Sequence, residues 1–314
     1  MTDLSVIIVN WNTRELLRGC LDSLPAATAG LQVETFVVDN ASHDGSAALL
    51  RGQYPRCRLI EAGRNVGFSA GNNLALREAS GRHVLLLNPD TVCRPNSLAR
   101  LVAFVDATAD AGAAGPLLTT PAGEPTISWG NFPAARFHLC AALDPRGTWL
   151  PAPRANLRFT QVPRRDEPTR AVDYAMGACL LIRGEALRAV GPLDERFFMY
   201  FEETDWCRRA ARAGWRVYYF AGAEVVHLEG RAADQVSDFS RRQFHHSYRL
   251  FVAKHYGPRR VWRFRAALGL EYSAKALLRG LAPGDCARNR ALARAHWATA
   301  RLQWRGRIEP VPPV

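Results

Sequence analysis

Hydrophobic positions in the first 115 residues alternate between two periods. Residues 4–9 form a continuous apolar, β-branched run; behind it Leu16, Leu17, Cys20, Leu21 and Leu24 recur at helical spacing. The pairing repeats. A run at 34–39 precedes a helix opened by Asp44-Gly45-Ser46, and one at 58–61 precedes a helix opened by Gly67-Phe68-Ser69. A run at 83–87 precedes a helical stretch at 95–105. Unbroken apolar strands separated by helices predict parallel strands buried on both faces. The fold class expected is α/β, a doubly wound, mostly parallel sheet with flanking helices.

The period fades between residues 115 and 170, where Pro, Gly, Ala and Arg surround isolated aromatics (Trp129, Phe132, Phe137, Trp149). This stretch predicts an irregular insertion. Regular patterns return as a strand over 171–182, helices over 184–190 and 202–213, and strands over 216–220 and 224–227. Beyond residue 237 the pattern is helical and basic. Two domains are expected: 1–235, carrying the insertion, and a helical C-terminal extension, 236–314.

Charge sharpens this division. The 314 residues carry a formal net charge of +12. Residues 1–230 hold 24 basic and 24 acidic side chains, whereas 231–314 hold 17 and 5, so the whole excess lies in the extension. A neutral body with a basic tail suggests an enzyme with an attachment device. Seven dispersed cysteines and no apolar run near the roughly 20 residues of a membrane span predict reduced thiols and a cytoplasmic home.

In a doubly wound sheet, ligands bind beyond the carboxyl ends of the strands. Here the four runs end in Asn10-Trp11-Asn12, Asp39-Asn40, Arg64-Asn65 and Asn88-Pro89-Asp90. Any one of these could be turn chemistry alone; four on one rim point to a polar site. No Gly-rich phosphate loop of the dinucleotide or P-loop type is present. A bound diphosphate would therefore need another counter-charge, and a divalent cation on Asp90 would supply it.

These residues bring a family into view. The chain resembles the family 2 glycosyltransferases of the GT-A fold, in particular their rhamnosyltransferase-like branch. The resemblance is carried by Val-Ile-Ile-Val-Asn-Trp-Asn (6–12), Val-Val-Asp-Asn-Ala-Ser (37–42) and Asn-Val-Gly-Phe-Ser-Ala-Gly-Asn-Asn (65–73). It continues in Leu-Leu-Asn-Pro-Asp-Thr (86–91), Gly-Ala-Cys-Leu-Leu-Ile-Arg (177–183), Phe-Phe-Met-Tyr-Phe-Glu-Glu-Thr-Asp-Trp-Cys-Arg-Arg (197–209) and Val-Val-His (225–227).

The resemblance implies an inverting transferase that moves a sugar from a nucleotide-sugar donor to an acceptor hydroxyl. Asp39 would read the pyrimidine with Trp11 stacking nearby, and Arg64 and Asn65 would lie by base and phosphates. Asn88-Pro89-Asp90 stands where the family carries its metal motif; Asn88 departs from the carboxylate there, leaving Asp90 as ligand and Asn88 as polar support. His227 would complete the shell of Mn²⁺ or Mg²⁺. Glu203 falls on the family's base position, with Glu where Asp is commoner. Asp205 is the second candidate for base, and Glu202 could bind the acceptor. Gly177 and Ala178 would floor the acceptor side, although tight strand packing explains small residues equally.

The branch suggests dTDP-rhamnose as donor and a saccharide or lipid-linked saccharide as acceptor, in cell-surface polysaccharide synthesis. UDP-galactofuranose or another UDP-hexose competes as donor, and a non-catalytic nucleotide-sugar binder is the alternative class. The tail interleaves cations with aromatics, which fits peripheral attachment to an anionic membrane surface. A helical extension packed on the catalytic domain is the competing reading. No nucleic-acid-binding motif is recognised, and no nucleic-acid partner is expected.

Overall fold

The structure is a computed structural model describing residues 1–143, 159–228, 237–281 and 286–304. Trp149, the 235–236 boundary and residues 305–314 of the basic tail lie outside the described residues. The described residues fall into two compact units: 1–130 with 160–240, and 131–159 with those from 241 onward.

The first unit opens with β1 (Leu4–Asn10), α1 (Arg14–Ala27), β2 (Val33–Asp39), α2 (Ser46–Gln53), β3 (Arg58–Glu61), α3 (Phe68–Leu76) and β4 (His83–Leu87). Every residue of β1 and β4 is buried, as the apolar runs at 6–9 and 84–87 require, and the polar Ser5, Asn10 and His83 at their ends are buried with them. The four strands pair in parallel in the order β3-β2-β1-β4, with Asn10 beside Asp39 at the end of the β1–β2 ladder. The chain runs outward from β1 through β2 to β3, then crosses back to place β4 on β1's other side. The carboxyl ends of β1 and β4 therefore flank the topological switch point, where a crevice opens.

Then follow β5 (Thr91–Cys93), α4 (Ser97–Ala107), β6 (Ala111–Thr119) and β7 (Trp129–Gly130). The second unit contributes α5 (Ala135–Leu143) before the first resumes with β8 (Thr160–Gln161), β9 (Arg170–Val172), β10 (Tyr174–Ala175) and β11 (Cys179–Arg183). The helices α6 (Gly184–Val190) and α7 (Glu202–Arg212) lead into β12 (Arg216–His227). The sheet continues β4-β11-β6-β12-β5, with β9 also on β12. Here β11 is antiparallel to both neighbours, and β12 is parallel to β6 but antiparallel to β5 and β9. Leu85, Leu87, Leu181 and Val225 pack with Leu17 and Leu101 of α1 and α4 into one core.

Two strand expectations change. The run at 171–182 is three strands, because the chain changes sheets: β10 pairs with β7 in a separate three-stranded sheet. The runs at 216–220 and 224–227 form one strand interrupted by a bulge. There Gly222 lies against the Phe220 ring, 2.4 Å from where a Cβ would stand.

The second unit is helical: α5, α8 (Ser237–Tyr256, from Arg241 onward), α9 (Val261–Leu281) and α10 (Cys286–Trp304). His138 of α5 joins Glu271 of α9 through Nδ1 (2.7 Å) and the Tyr248 hydroxyl of α8 through Nε2 (2.7 Å). Lys275 donates to the other Glu271 oxygen at 2.5 Å. Arg265 closes the end of α10 by donating to the Gln303 carbonyl at 2.6 Å. Among the described residues, no helix is long and apolar enough to cross a membrane.

Candidate functional site

The rim is built from strand ends. Asp39, 4% exposed, accepts from Asn10 Nδ2 at 3.2 Å and from the Ser42 amide at 3.0 Å. Asn10 is fixed by Thr13, whose hydroxyl donates to Oδ1 at 2.7 Å. Ser42 Oγ accepts from the Asn12 amide at 2.9 Å, and Asn12 Oδ1 accepts from the His43 amide at 2.8 Å. This lattice holds two non-glycine residues, Asn12 (φ 53°) and Ala41 (φ 61°), in left-handed backbone, a conformation that costs of order 1–3 kcal/mol and clusters at ligand sites. Each Asp39 oxygen can still accept a further bond. Trp11, which follows Asn10 at the end of β1, is half-buried, and Arg64 is exposed beyond β3.

Asn65 and the helix after it turn out to organise a loop. Asn65 Oδ1 accepts from the Gly67 amide at 3.1 Å. The Phe68 amide then donates to the Phe198 carbonyl (2.7 Å), and Ser69 Oγ to the Phe197 carbonyl (2.5 Å). Asn73 both donates to the Leu193 carbonyl and accepts from the Leu193 amide. Gly67, at φ +86°, admits this approach: a Cβ there would lie 2.5 Å from the Phe198 carbonyl oxygen. The start of α3 thus clamps residues 193–198, the segment that leads into α7.

Asp90 and His227 meet across the β5–β12 ladder. Asp90 is 4% exposed, its Oδ1 lies 3.3 Å from His227 Nε2, and its carbonyl accepts from the Leu228 amide at 2.9 Å. Among the described residues no cluster of three or more His, Cys, Asp or Glu side chains could hold a metal. One carboxylate oxygen and one imidazole nitrogen on a polar rim suit a cation that takes its remaining ligands from phosphate oxygens and water, as Mg²⁺ and Mn²⁺ do. The donor set therefore fits. Asn88 is half-buried; its amide donates to the Ala178 carbonyl at 2.9 Å, and its carbonyl accepts from Thr91 Oγ1 at 2.7 Å.

Helix α7 brings the acidic cluster. Tyr200 (φ 68°) and Phe201 (φ 70°) are consecutive non-glycine residues in left-handed backbone directly before it. Glu202 and Glu203 follow at 6% and 7% exposure, and Oε2 of each is buried without a hydrogen-bond partner. Burial raises both carboxyls above the ordinary range, Glu202 further because Glu203 stands beside it. For Glu203 the rise is opposed by the amides of Glu203 and Thr204 and by the Thr204 hydroxyl at 3.2 Å. Burial thus holds both carboxyls toward the protonated form, and the donors around Glu203 favour its charged form.

Asp205 goes elsewhere. It is fully buried and ion-paired to Arg209 Nε at 2.9 Å; Arg209 also donates to the Val190 and Pro192 carbonyls at 2.7 Å each. Gly177 does meet the cluster, since a Cβ on it would lie 3.4 Å from Glu203 Cγ. Because the Ala178 carbonyl holds the Asn88 amide, the Gly177–Ala178 peptide links the Asn88-Pro89-Asp90 turn to Glu203. Asp39 stands two strands away from β4, about 10 Å at ordinary sheet spacing. The geometry adds Thr13, Asn73, Tyr200, Phe201 and Arg209 to the residues that shape the rim, and gives Asn10, already marked by its strand end, the task of holding Asp39. Of these, Arg209 was readable as an i,i+4 partner of Asp205.

A sheet switch point edged by the buried strand-end carboxylate of Asp39, an Asp–His pair and a buried glutamate pair has the make-up of a nucleotide-sugar transferase of the GT-A type. Residues 5–191 match the family described as Glycosyl transferase family 2, and the chain belongs to that family. It is 32% identical over 290 residues to the N-acetylglucosaminyl-diphospho-decaprenol L-rhamnosyltransferase of Mycobacterium tuberculosis, covering 86% of this chain and 92% of that protein. It is 26% identical over 257 residues to the low-salt glycan biosynthesis hexosyltransferase Agl10 of Haloferax volcanii, covering 80% and 73%. Among solved structures, the mannosyltransferase PcManGT from Pyrobaculum calidifontis, in complex with GDP-Man and Mn²⁺, superposes with a TM-score of 0.58. That match has 15% identity and covers 97% of this chain and 88% of that one; it shows the fold.

Proposed function

We propose that the chain transfers L-rhamnose from dTDP-rhamnose to a hydroxyl of a lipid-linked N-acetylglucosaminyl diphosphate, with inversion at the anomeric carbon, at the cytoplasmic face of a membrane. The donor and acceptor classes are supported by the mycobacterial relative's name and by its coverage of nearly the whole chain. Asp39 accepts a hydrogen bond from the pyrimidine N–H while Trp11 stacks on the ring, with Arg64 and Asn65 toward the phosphates. Asp90 and His227 are the residues that would hold Mn²⁺ or Mg²⁺, with Asn88 as polar support. When bound, the cation neutralises charge gathering on the departing nucleoside diphosphate.

One observation carries the chemistry: Glu203, buried at the entrance of α7, keeps Oε2 unpartnered beside Gly177. A base needs a free acceptor oxygen within reach of the attacking hydroxyl. Glu203 takes that proton. Glu202, whose Oε2 is also buried without a partner, can hydrogen-bond the acceptor, while Gly177 and Ala178 leave the sugar room. Asp205 serves the clamp with Arg209 and is set aside as base.

The test is transfer by the purified protein from dTDP-rhamnose, UDP-galactose or UDP-galactofuranose to a short-chain lipid-linked N-acetylglucosaminyl diphosphate, with Mn²⁺, with Mg²⁺ or with chelator. Metal-dependent product from dTDP-rhamnose alone supports the assignment. Product only from a UDP-hexose moves it to the hexosyl donor suggested by the archaeal relative. Donor binding without turnover would instead support the non-catalytic reading.

A further inference from the structure

The second unit presents its apolar side chains outward. Of ten exposed large hydrophobic side chains among the described residues, eight belong to α5, α9 and α10. On α10 the exposed positions Arg290, Arg294, Trp297, Arg301 and Trp304 follow spacings of four, three, four and three residues. At 3.6 residues per turn these fall on one stripe less than a quarter of the helix wide. On α9, Arg263, Leu270, Leu277 and Leu281 make a second stripe by the same count. The two helices pack along one another, and Gly269 of α9 lies against the Trp304 indole.

These stripes are not misplaced core. Each helix already buries another face within the unit, through Phe264, Leu268 and Ala276 on α9 and Ala300 on α10. An outer face combining leucine, tryptophan at its edge and regularly spaced arginine has the character of an interfacial helix, apolar enough to enter the headgroup boundary and cationic enough to be drawn there. Residues 231–314 carry the chain's entire +12, so the charge complement is an anionic surface.

We propose that the outer face of α9 and α10 seats on an anionic lipid bilayer, with Trp297 and Leu277 at the headgroup–acyl boundary and Arg290, Arg294 and Arg301 against lipid phosphates. This identifies the attachment surface and deepens the reading of a lipid-linked acceptor, on which it rests for its biological sense. Its physical test does not depend on that reading.

The full chain is sedimented with vesicles of phosphatidylcholine alone and of phosphatidylcholine with 30% phosphatidylglycerol (about one anionic lipid in three), at low and high salt. The expected result is binding to the anionic vesicles that weakens steeply with salt. Each arginine contributes about fivefold to such binding, so R290E/R294E/R301E should lose roughly a hundredfold or more. Trp297→Ser should weaken binding to the same vesicles without moving the melting temperature. The triple-arginine variant should keep its turnover on a water-soluble acceptor, which separates loss of attachment from failure of the transferase assignment. No binding to anionic vesicles at low salt would overturn the proposal, as would undiminished binding by these variants. Retention on duplex DNA without vesicle binding, or a dimer in solution that Trp297→Ser dissolves, would give the face to another partner and overturn it too.

Discussion

Both units bury glutamate, and they treat it differently. In the second unit Glu271 is 7% exposed with both oxygens engaged, one by His138 and one by Lys275. In the first, Glu202 and Glu203 are as deeply buried, and each leaves an oxygen without a partner. A buried carboxylate costs stability unless it is paired, so a fully answered one reads as part of the framework. One left unanswered beside the small-residue turn at Gly177 and Ala178, after two strained residues, reads as waiting for substrate. The exposed apolar stripes of the second unit are the mirror of this: there the unmet need is on the outside.

The sharpest way to break the comparison is Glu203→Gln. It should lower kcat by about 10²–10⁴, the usual contribution of a positioned base, in the transfer assay. Glu203→Asp should retain more, since the same helix-end donors remain in reach. Because burial raises Glu203, the acid limb of kcat/KM should lie above the ordinary glutamate range. The chain should stay folded throughout, and a loss of kcat that tracks unfolding in circular dichroism would defeat the assignment.

Titration of stability should then show opposite signs in the two units. Glu202 and Glu203 have folded pKa values above their unfolded ones, so they favour the fold at low pH and that support fades as pH rises through the folded values. Glu202→Gln should therefore raise the melting temperature at neutral pH, with the gain vanishing in acid. Burial pushes Glu271 upward, but the His138 hydrogen bond and the Lys275 charge outweigh it and hold the carboxyl below the usual range. Its support is present above the unfolded value and is lost as pH falls through the folded one. Glu271→Gln should destabilise most at neutral pH. Equal signs for the two variants would erase the distinction.

Arg209→Met removes the cation from a fully buried Asp205 and two donors from the Val190 and Pro192 carbonyls, and should cost about 3–5 kcal/mol in urea denaturation. Gly67→Ala should cost about 1–3 kcal/mol, combining positive φ with contact on the Phe198 carbonyl. Gly63→Ala, at φ +71° with nothing within 4 Å, isolates the backbone term. The difference between the two measures how firmly α3 clamps the loop before α7.

The parallel half of the sheet and its rim were legible because a strand buried on both faces must be apolar throughout, so a polar residue marks its end. Asn10, Asp39 and Asn88 stood out on that ground alone. Strand direction was not legible: β11 is as apolar as β4, and an antiparallel central strand carries no different pattern. The short helix α5 was missed inside the insertion because its apolar residues serve the second unit, and only the His138 contacts to α8 and α9 explain them. The strained entry at Tyr200 and Phe201 could not be read either, since aromatic residues advertise burial and say nothing of φ.

The smallest expected effect tests the outer half of the comparison. Leu277 is 57% exposed on α9, and Leu181 is 1% exposed in β11. If the apolar stripe faces outward and contributes nothing to its own unit, Leu277→Ser should change unfolding free energy by no more than about 0.5 kcal/mol, as surface substitutions do. Leu181→Ala should cost about 2–5 kcal/mol through lost burial and the cavity it leaves. The informative result is the first. A cost for Leu277→Ser above about 1 kcal/mol would mean that the stripe packs within the protein after all, and the outward leucines would need no external surface to explain them. A neutral change leaves an apolar helix face that folding does not use, which is the condition any partner on that face requires.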